Sequence, residues 1–233
     1  MRERVFLIDL EFDDGVFVLH MRNGQNLLNL DFVRALNDAL DEVEGSTGPC
    51  SLVTTGEGKF YSNGLDLPWM LGEGAEQMGE FGPLLQRTFA RLVSFPVITV
   101  AALNGHVFAA GAVLALTQDF RVMRSDRGFL CLPEVDLQVP FPAGIMSVVQ
   151  SRLPAAMLHE AILSGRRYDS SEALAGGAID AALPESEVLP RAVEMARGLA
   201  EKHRPTLVAL KRALYSEVLE KLEAAARRAE RAD

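Results

Sequence analysis

Cysteine is nearly absent: Cys50 and Cys131 are the two in 233 residues. That scarcity excludes a disulfide framework and fits a reducing compartment. Each sits in an apolar context, so packing is the better reading than a reactive thiol. No apolar run approaches the roughly 18 residues that a membrane-crossing helix needs. The N-terminus reaches Arg2, Glu3 and Arg4 before an apolar core can form, which argues against a signal peptide. The C-terminal Arg231-Ala232-Asp233 is unlike a Ser-Lys-Leu address, so a cytoplasmic protein is expected. Basic excess is missing too. A formal net charge of -9 gives a nucleic acid no basic surface to neutralise its phosphates, although a few local cations suffice for a small anionic ligand. His20, His106, His159 and His203 form no i,i+4 pair, so no metal site is expected. No Gly-x-Gly-x-x-Gly opens a dinucleotide fold, and neither Ser62 nor Ser164 has the Gly-x-Ser-x-Gly setting of a serine hydrolase.

What is present is an ordinary globular composition, 48% hydrophobic and 24% charged. Residues 5–10 and 15–20 read as strands around the turn signal Asp13-Asp14-Gly15. Residues 30–43 repeat apolar side chains at helical intervals, as do 81–93. Strand-like runs fall at 51–55, 97–103, 120–123 and 128–132, with a helix at 109–117 and a Gly- and Glu-rich mobile loop expected at 72–82. From residue 143 helices dominate, near 143–152, 154–164, 170–176, 186–202 and 206–230, with a strand-like piece at 178–182. The class is α/β. The pattern divides into a core over 1–142 and a helical region over 143–233.

Chemistry concentrates in two Gly-containing segments and one carboxylate. Ser62-Asn63-Gly64-Leu65-Asp66 and Asn104-Gly105-His106-Val107-Phe108-Ala109-Ala110-Gly111 each follow a buried strand, and Pro133-Glu134 comes after them. A strand that turns into a helix through small residues leaves unpaired N–H groups at the helix N-terminus. Two such segments can aim two donors at one oxygen, and a nearby Glu can move a proton at the adjacent carbon. Each feature has a plainer reading: a Gly turn, close helix–sheet packing, a solvated Glu after a proline.

Residues 56–67 resemble the first signature of the crotonase, or enoyl-CoA hydratase/isomerase, superfamily, and residues 101–121 are similar to its second. The stretch 127–136 looks most like the plant-type enoyl-CoA delta-isomerases. The resemblance covers about residues 5–215. It implies a spiral of ββα units with a helical C-terminal trimerisation region, acting on an acyl-CoA thioester as a homotrimer or dimer of trimers. No cofactor is implied beyond the coenzyme A of the substrate.

The resemblance further makes the Leu65 and Ala110 amides the oxyanion donors and Glu134 the acid/base, with Ser62, Gly64, Asp66 and Val113 around the substrate. Asp66 also reads as a helix N-cap. Ala109-Ala110-Gly111 departs from the family's Gly-Gly-Gly by two methyl groups. Val113 stands where the hydratases carry a second glutamate, and it can neither accept nor donate a proton. One carboxyl can shift a double bond by removing and returning a proton; adding water also requires a nucleophile to be oriented. The expectation is therefore an isomerase converting 3-enoyl-CoA to 2-enoyl-CoA in fatty acid metabolism. A hydratase or other crotonase-type enzyme, and a catalytically silent acyl-CoA binder, remain as alternatives. In an extended stretch Asp136 shares a face with Glu134. His106 reads either as a pocket residue or as a polar turn residue. Arg22, Asn26, Lys59, Lys211 and Arg212 are candidates for the nucleotide end of coenzyme A. The stripe Leu207, Leu210, Leu214, Val218 and Leu222 needs an apolar partner.

Overall fold

The first two described strands form a hairpin, and its turn sets the register between them. In the computed structural model, which describes residues 7–230, strand β1 (Ile8–Asp13) pairs antiparallel with β2 (Val16–Met21). Asp14 and Gly15 both have positive φ, 44° and 78°, the geometry of a two-residue hairpin loop. That turn fixes Asp13 opposite Val16 and places the strand three residues later than the apolar run suggests. Val5 and Phe6 of the expected strand lie outside the described residues.

A repeating turn follows, each made of a long strand, a short strand and a helix. After helix α1 (Leu30–Gly45) come β3 (Ser51–Gly56), β4 (Phe60–Ser62), and helices α2 (Leu67–Leu71) and α3 (Met78–Val93). The second turn is β5 (Ile98–Leu103), β6 (His106–Phe108) and α4 (Ala110–Thr117). The third is β7 (Phe120–Arg124), β8 (Leu130–Cys131), α5 (Glu134–Leu137) and α6 (Ala143–Arg152). The chain continues through α7 (Ala155–Ser164), β9 (Arg167–Tyr168), α8 (Ser170–Ala175), β10 (Ala181–Leu183), α9 (Glu185–Arg197), α10 (Arg204–Leu214) and α11 (Ser216–Ala229). The long strands form one sheet ordered β1-β2-β3-β5-β7-β10, parallel from β2 onward, and the short ones a second sheet ordered β4-β6-β8-β9.

Every residue of β3 and β5 is buried, as expected of parallel strands covered on both faces. One face is covered by α9, through Val188, Ala192 and Ala196 against Val53, Val100 and Val122. The other face carries the main core, which runs from Phe32 and Leu40 to Val218 and Leu222. The helical region after residue 142 thus completes the core of the strands before it.

Three expectations change. The loop expected over 72–82 is shorter, because Phe81 and Leu85 bury themselves and pull residues from Met78 onward into α3. The single helix expected over 206–230 is two helices, broken at Tyr215. Tyr215 accepts a hydrogen bond from Arg152, whose guanidinium also lies 4.1 Å from its ring centroid, so the residue at the break is anchored to α6. The apolar stripe is therefore split: Val218 and Leu222 pack inside, while Leu210 and Leu214 are 63% and 72% exposed. Finally, the stretch at Glu134 is helical instead of extended. Asp136 consequently leaves Glu134's face and lies against Gly165, where a Cβ would stand 2.6 Å from its Oδ2.

Candidate active site

Leu65 follows β4 and forms a parallel bridge with Leu28. On that edge the Gly64 carbonyl accepts from Leu28 N at 2.8 Å, and Asp66 N donates to Leu28 O at 3.1 Å. The Leu65 amide lies between these two and donates to nothing among the described residues. Gly64 has φ +96°, and a Cβ there would lie 2.8 Å from the Ala109 Cβ and 3.3 Å from Ala110 N. Only glycine lets the two segments come this close. Asp66 caps α2, its Oδ1 accepting from Trp69 N at 3.1 Å, and its Oδ2 accepts from Asn29 Nδ2 at 3.1 Å. It holds the turn in place.

Ala110 opens α4, and its amide too has no partner among the described residues. The preceding Ala109 has φ +49° and ψ -128°, a conformation that favours glycine. Its neighbours enforce it: Ala109 N donates to Cys131 O at 3.0 Å, and Ala109 O accepts from Ala112 N and Val113 N at 2.8 and 3.1 Å. Gly111 sets α4 directly on β4, since a Cβ would meet Ser62 O at 2.5 Å.

Leu65, Ala110 and Glu134 line one cavity of about 700 Å³, walled by apolar side chains that include Met70, Phe81, Leu85, Phe141 and Ile145. Glu134 Oε2 is buried and makes no hydrogen bond among the described residues. Burial pushes its carboxyl from the ordinary 4.5 up to about 7, opposed by a bond to its own backbone amide. The cavity is therefore lined by two residues whose amides have no partner among the described residues and by one carboxyl that burial pushes up to about 7, a set that can serve proton transfer beside a developing oxyanion.

The other expected residues stand behind the wall. Ser62 is fully buried, donating to Asn26 O at 2.7 Å and accepting from Gly64 N at 3.3 Å. Val113 is fully buried in the core; none of Ser62, Gly64, Asp66 and Val113 lines the cavity. His106 packs among the rings of Phe60, Phe108 and Phe129, and burial lowers its pKa. Of the cation candidates, Arg22 is paired with Asp9 at 2.9 Å and Glu57 at 2.7 Å. Lys211 is buried, donating to Phe95 O, Val97 O and Asp119 at 3.0, 2.9 and 2.6 Å. Asn26 is buried too, donating to Tyr61 O at 2.9 Å. The bonds of Lys211 and Asn26 are buried and build the fold, whereas the ion pairs of Arg22 lie at the surface. Lys59 lies over the Phe60 ring at 5.3 Å, and Arg212 borders a separate groove beside Arg87 and Arg91.

Gln86 and Arg167 line the cavity without having been singled out by sequence reasoning. The helical period of α3 marks an inward face, but a lone Gln on it carries no signal. Arg167 becomes visible only once β9 pairs antiparallel with β8 and sets it opposite Cys131. Cys131 itself donates to Gly165 O at 3.1 Å, and burial raises its thiol to about 11, so it is an inert wall residue.

With strand order, spiral and site in view, the family follows: residues 11–232 match the enoyl-CoA hydratase/isomerase model, and the chain belongs to that family. Its fold is the crotonase fold. Among similar proteins is the peroxisomal enoyl-CoA delta isomerase 2 of Arabidopsis thaliana, 32% identical over 90% of this chain and 92% of its own length. Arabidopsis enoyl-CoA delta isomerase 3 is 33% identical over the same shares. A solved enoyl-CoA hydratase from Mycobacterium ulcerans superposes with a TM-score of 0.88 at 28% identity, covering 97% of this chain and 98% of that one. The human mitochondrial delta3-delta2-enoyl-CoA isomerase shares the fold, with a TM-score of 0.88 at 23% identity over 97% of this chain and 91% of its own.

Proposed function

We propose that this protein is an enoyl-CoA delta-isomerase that moves the double bond of a 3-enoyl-CoA to the 2-position. The observation that carries the proposal is the carboxylate inventory of the cavity: among the described residues lining it, Glu134 is the sole Asp or Glu. As a carboxylate, Glu134 takes a proton from C2, and the electron pair runs through the thioester to its oxygen. The resulting dienolate oxygen accepts from the Leu65 and Ala110 amides. The protonated Glu134 returns the same proton at C4, leaving the double bond between C2 and C3. A carboxyl with pKa near 7 suits both halves, because neither protonation state is strongly preferred.

Among the described residues lining the cavity, water addition has no second carboxyl to position the nucleophile, and Val113 is sealed in the core. The substrate carries its own coenzyme A, and turnover needs neither metal nor nicotinamide. Leu210 and Leu214 on α10 supply apolar surface for a neighbouring copy in a trimer or a dimer of trimers. Among the described residues no helix is long and apolar enough to cross a membrane. A cytoplasmic location is part of the proposal, and cell fractionation tests it against the peroxisomal location of its Arabidopsis relative.

The deciding experiment incubates purified protein separately with 3-hexenoyl-CoA and 2-hexenoyl-CoA. Appearance of the conjugated thioester from the first supports the isomerase. Faster formation of 3-hydroxyhexanoyl-CoA from the second replaces it with a hydratase. Binding without turnover of either leaves a silent acyl-CoA binder.

A further inference from the structure

Gln86 is a buried polar side chain lining an apolar cavity, and nothing in the isomerase mechanism uses it. It lies on α3 between inward-facing Leu85 and Phe89, is 7% exposed, and lines the cavity that holds Glu134. Its Oε1 has no hydrogen-bond partner among the described residues. A buried amide oxygen left unpaired is rare enough to require a cause. Gly144 on α6 gives it space: a Cβ there would lie 2.6 Å from Oε1 and 3.0 Å from Leu222 Cα, so Oε1 rests between α6 and α11, behind residues that line the cavity, and a turn of the carboxamide brings it inward. The neighbouring walls Phe81, Leu85 and Ile145 are apolar and cannot answer it.

We infer that Gln86 selects acyl chains bearing a hydroxyl over plain hydrocarbon chains of equal length. This rests on the reading of the cavity as an acyl-CoA site and adds the chemical class of the chain. The terminal torsion of Gln is soft, so the carboxamide can turn either Oε1 or Nε2 inward, and a hydroxyl both donates and accepts. A hydrocarbon chain reaching Gln86 leaves the amide desolvated and unpaired, whereas a hydroxylated chain pairs the atom turned inward. A pocket built to hydrogen-bond a chain oxygen discriminates against the analogue lacking it for that reason.

Saturated thioesters test this, because they bind without reacting. Titration calorimetry compares butanoyl-, hexanoyl- and octanoyl-CoA with their terminally hydroxylated counterparts, for wild type and Gln86→Leu. At the length that reaches Gln86, the substitution should weaken the hydroxylated ligand relative to the plain one by roughly 5- to 10-fold, the scale of one hydrogen bond. A double ratio within twofold at all three lengths overturns the inference while leaving the acyl-CoA site intact. Failure of all six thioesters to bind wild type removes the acyl-CoA reading and this inference with it. Gln86→Met provides the same comparison if the Leu variant does not fold, and wild-type melting curves with each ligand give an independent ranking.

Discussion

Helices α4 and α5 border the same cavity and are built in opposite ways. All eight residues of α4 are buried, while no residue of the four-residue α5 is. The first presents a backbone amide from the middle of the core, and the second presents a carboxyl from a short segment at the surface. Val135, Leu137 and Val139 are 50%, 47% and 39% exposed around that carboxyl. A hydrogen-bond donor stabilises developing charge best when it cannot reorganise. A proton carrier that serves two carbons gains from some freedom. In the proposed isomerase the contrast sets an amide held by core packing beside a carboxyl carried on a short surface segment.

The strongest way to break the rigid half is Val113→Glu, which sets a carboxylate in the fully buried interior of α4. An unpaired buried charge costs about 3–5 kcal/mol. Denaturant unfolding should show a loss of that order; a stable variant with increased water addition would mean the side chain reaches the cavity. Next is Gly64→Ala. Its φ of +96° and the 2.8 Å approach to the Ala109 Cβ add backbone strain to overpacking, together about 2–4 kcal/mol. Activity of the remaining folded protein should fall as the two amides are pushed apart.

On the α5 side, Glu134→Gln keeps the shape but cannot take up a proton, so turnover should fall at least ~10²-fold with little change in acyl-CoA affinity. An active variant would end the single-carboxyl mechanism. The wild-type pH profile sharpens this test. In the proposed mechanism Glu134 is ionised when it accepts the C2 proton, so kcat/KM should rise through about pH 7. Stability should run the other way. The folded pKa lies above the ordinary 4.5, so the neutral form is favoured in the fold, and that contribution is lost as pH rises from 4.5 through about 7. The melting temperature of Glu134→Gln should therefore gain on wild type across that window.

The smallest effect returns to α4. Ala109→Gly relieves an alanine held at φ +49°. Strain of this kind costs about 1–3 kcal/mol, partly offset by the extra unfolded-state freedom of glycine, leaving a gain of roughly 1 kcal/mol. Thermal melts measure it, and a loss of stability would show that the alanine methyl packs too well to give up.

Read along the chain, the alternation of apolar runs and Gly turns was enough to identify the α/β class, most strands and the helix at 143–152. The two Gly segments and the Pro-Glu step stood out from turn chemistry and apolar context, while the choice of Leu65, Ala110 and Glu134 within them came from the resemblance; the structure lines one cavity with all three. The family itself was also there, in three ordered motifs. Tertiary structure alone decided the rest. It anchored the break between α10 and α11, where Tyr215 meets Arg152 from a helix 63 residues away. It turned Lys211 inward to Asp119, across a separation of 92 residues. It also placed Gln86 and Arg167 in the cavity wall and left Ser62 and Val113 outside it. Local patterns report each residue's own strand or helix and the face it favours. Which distant side chain answers it, and which polar group is left without an answer, depends on contacts formed only when the sheets and helices close on one another.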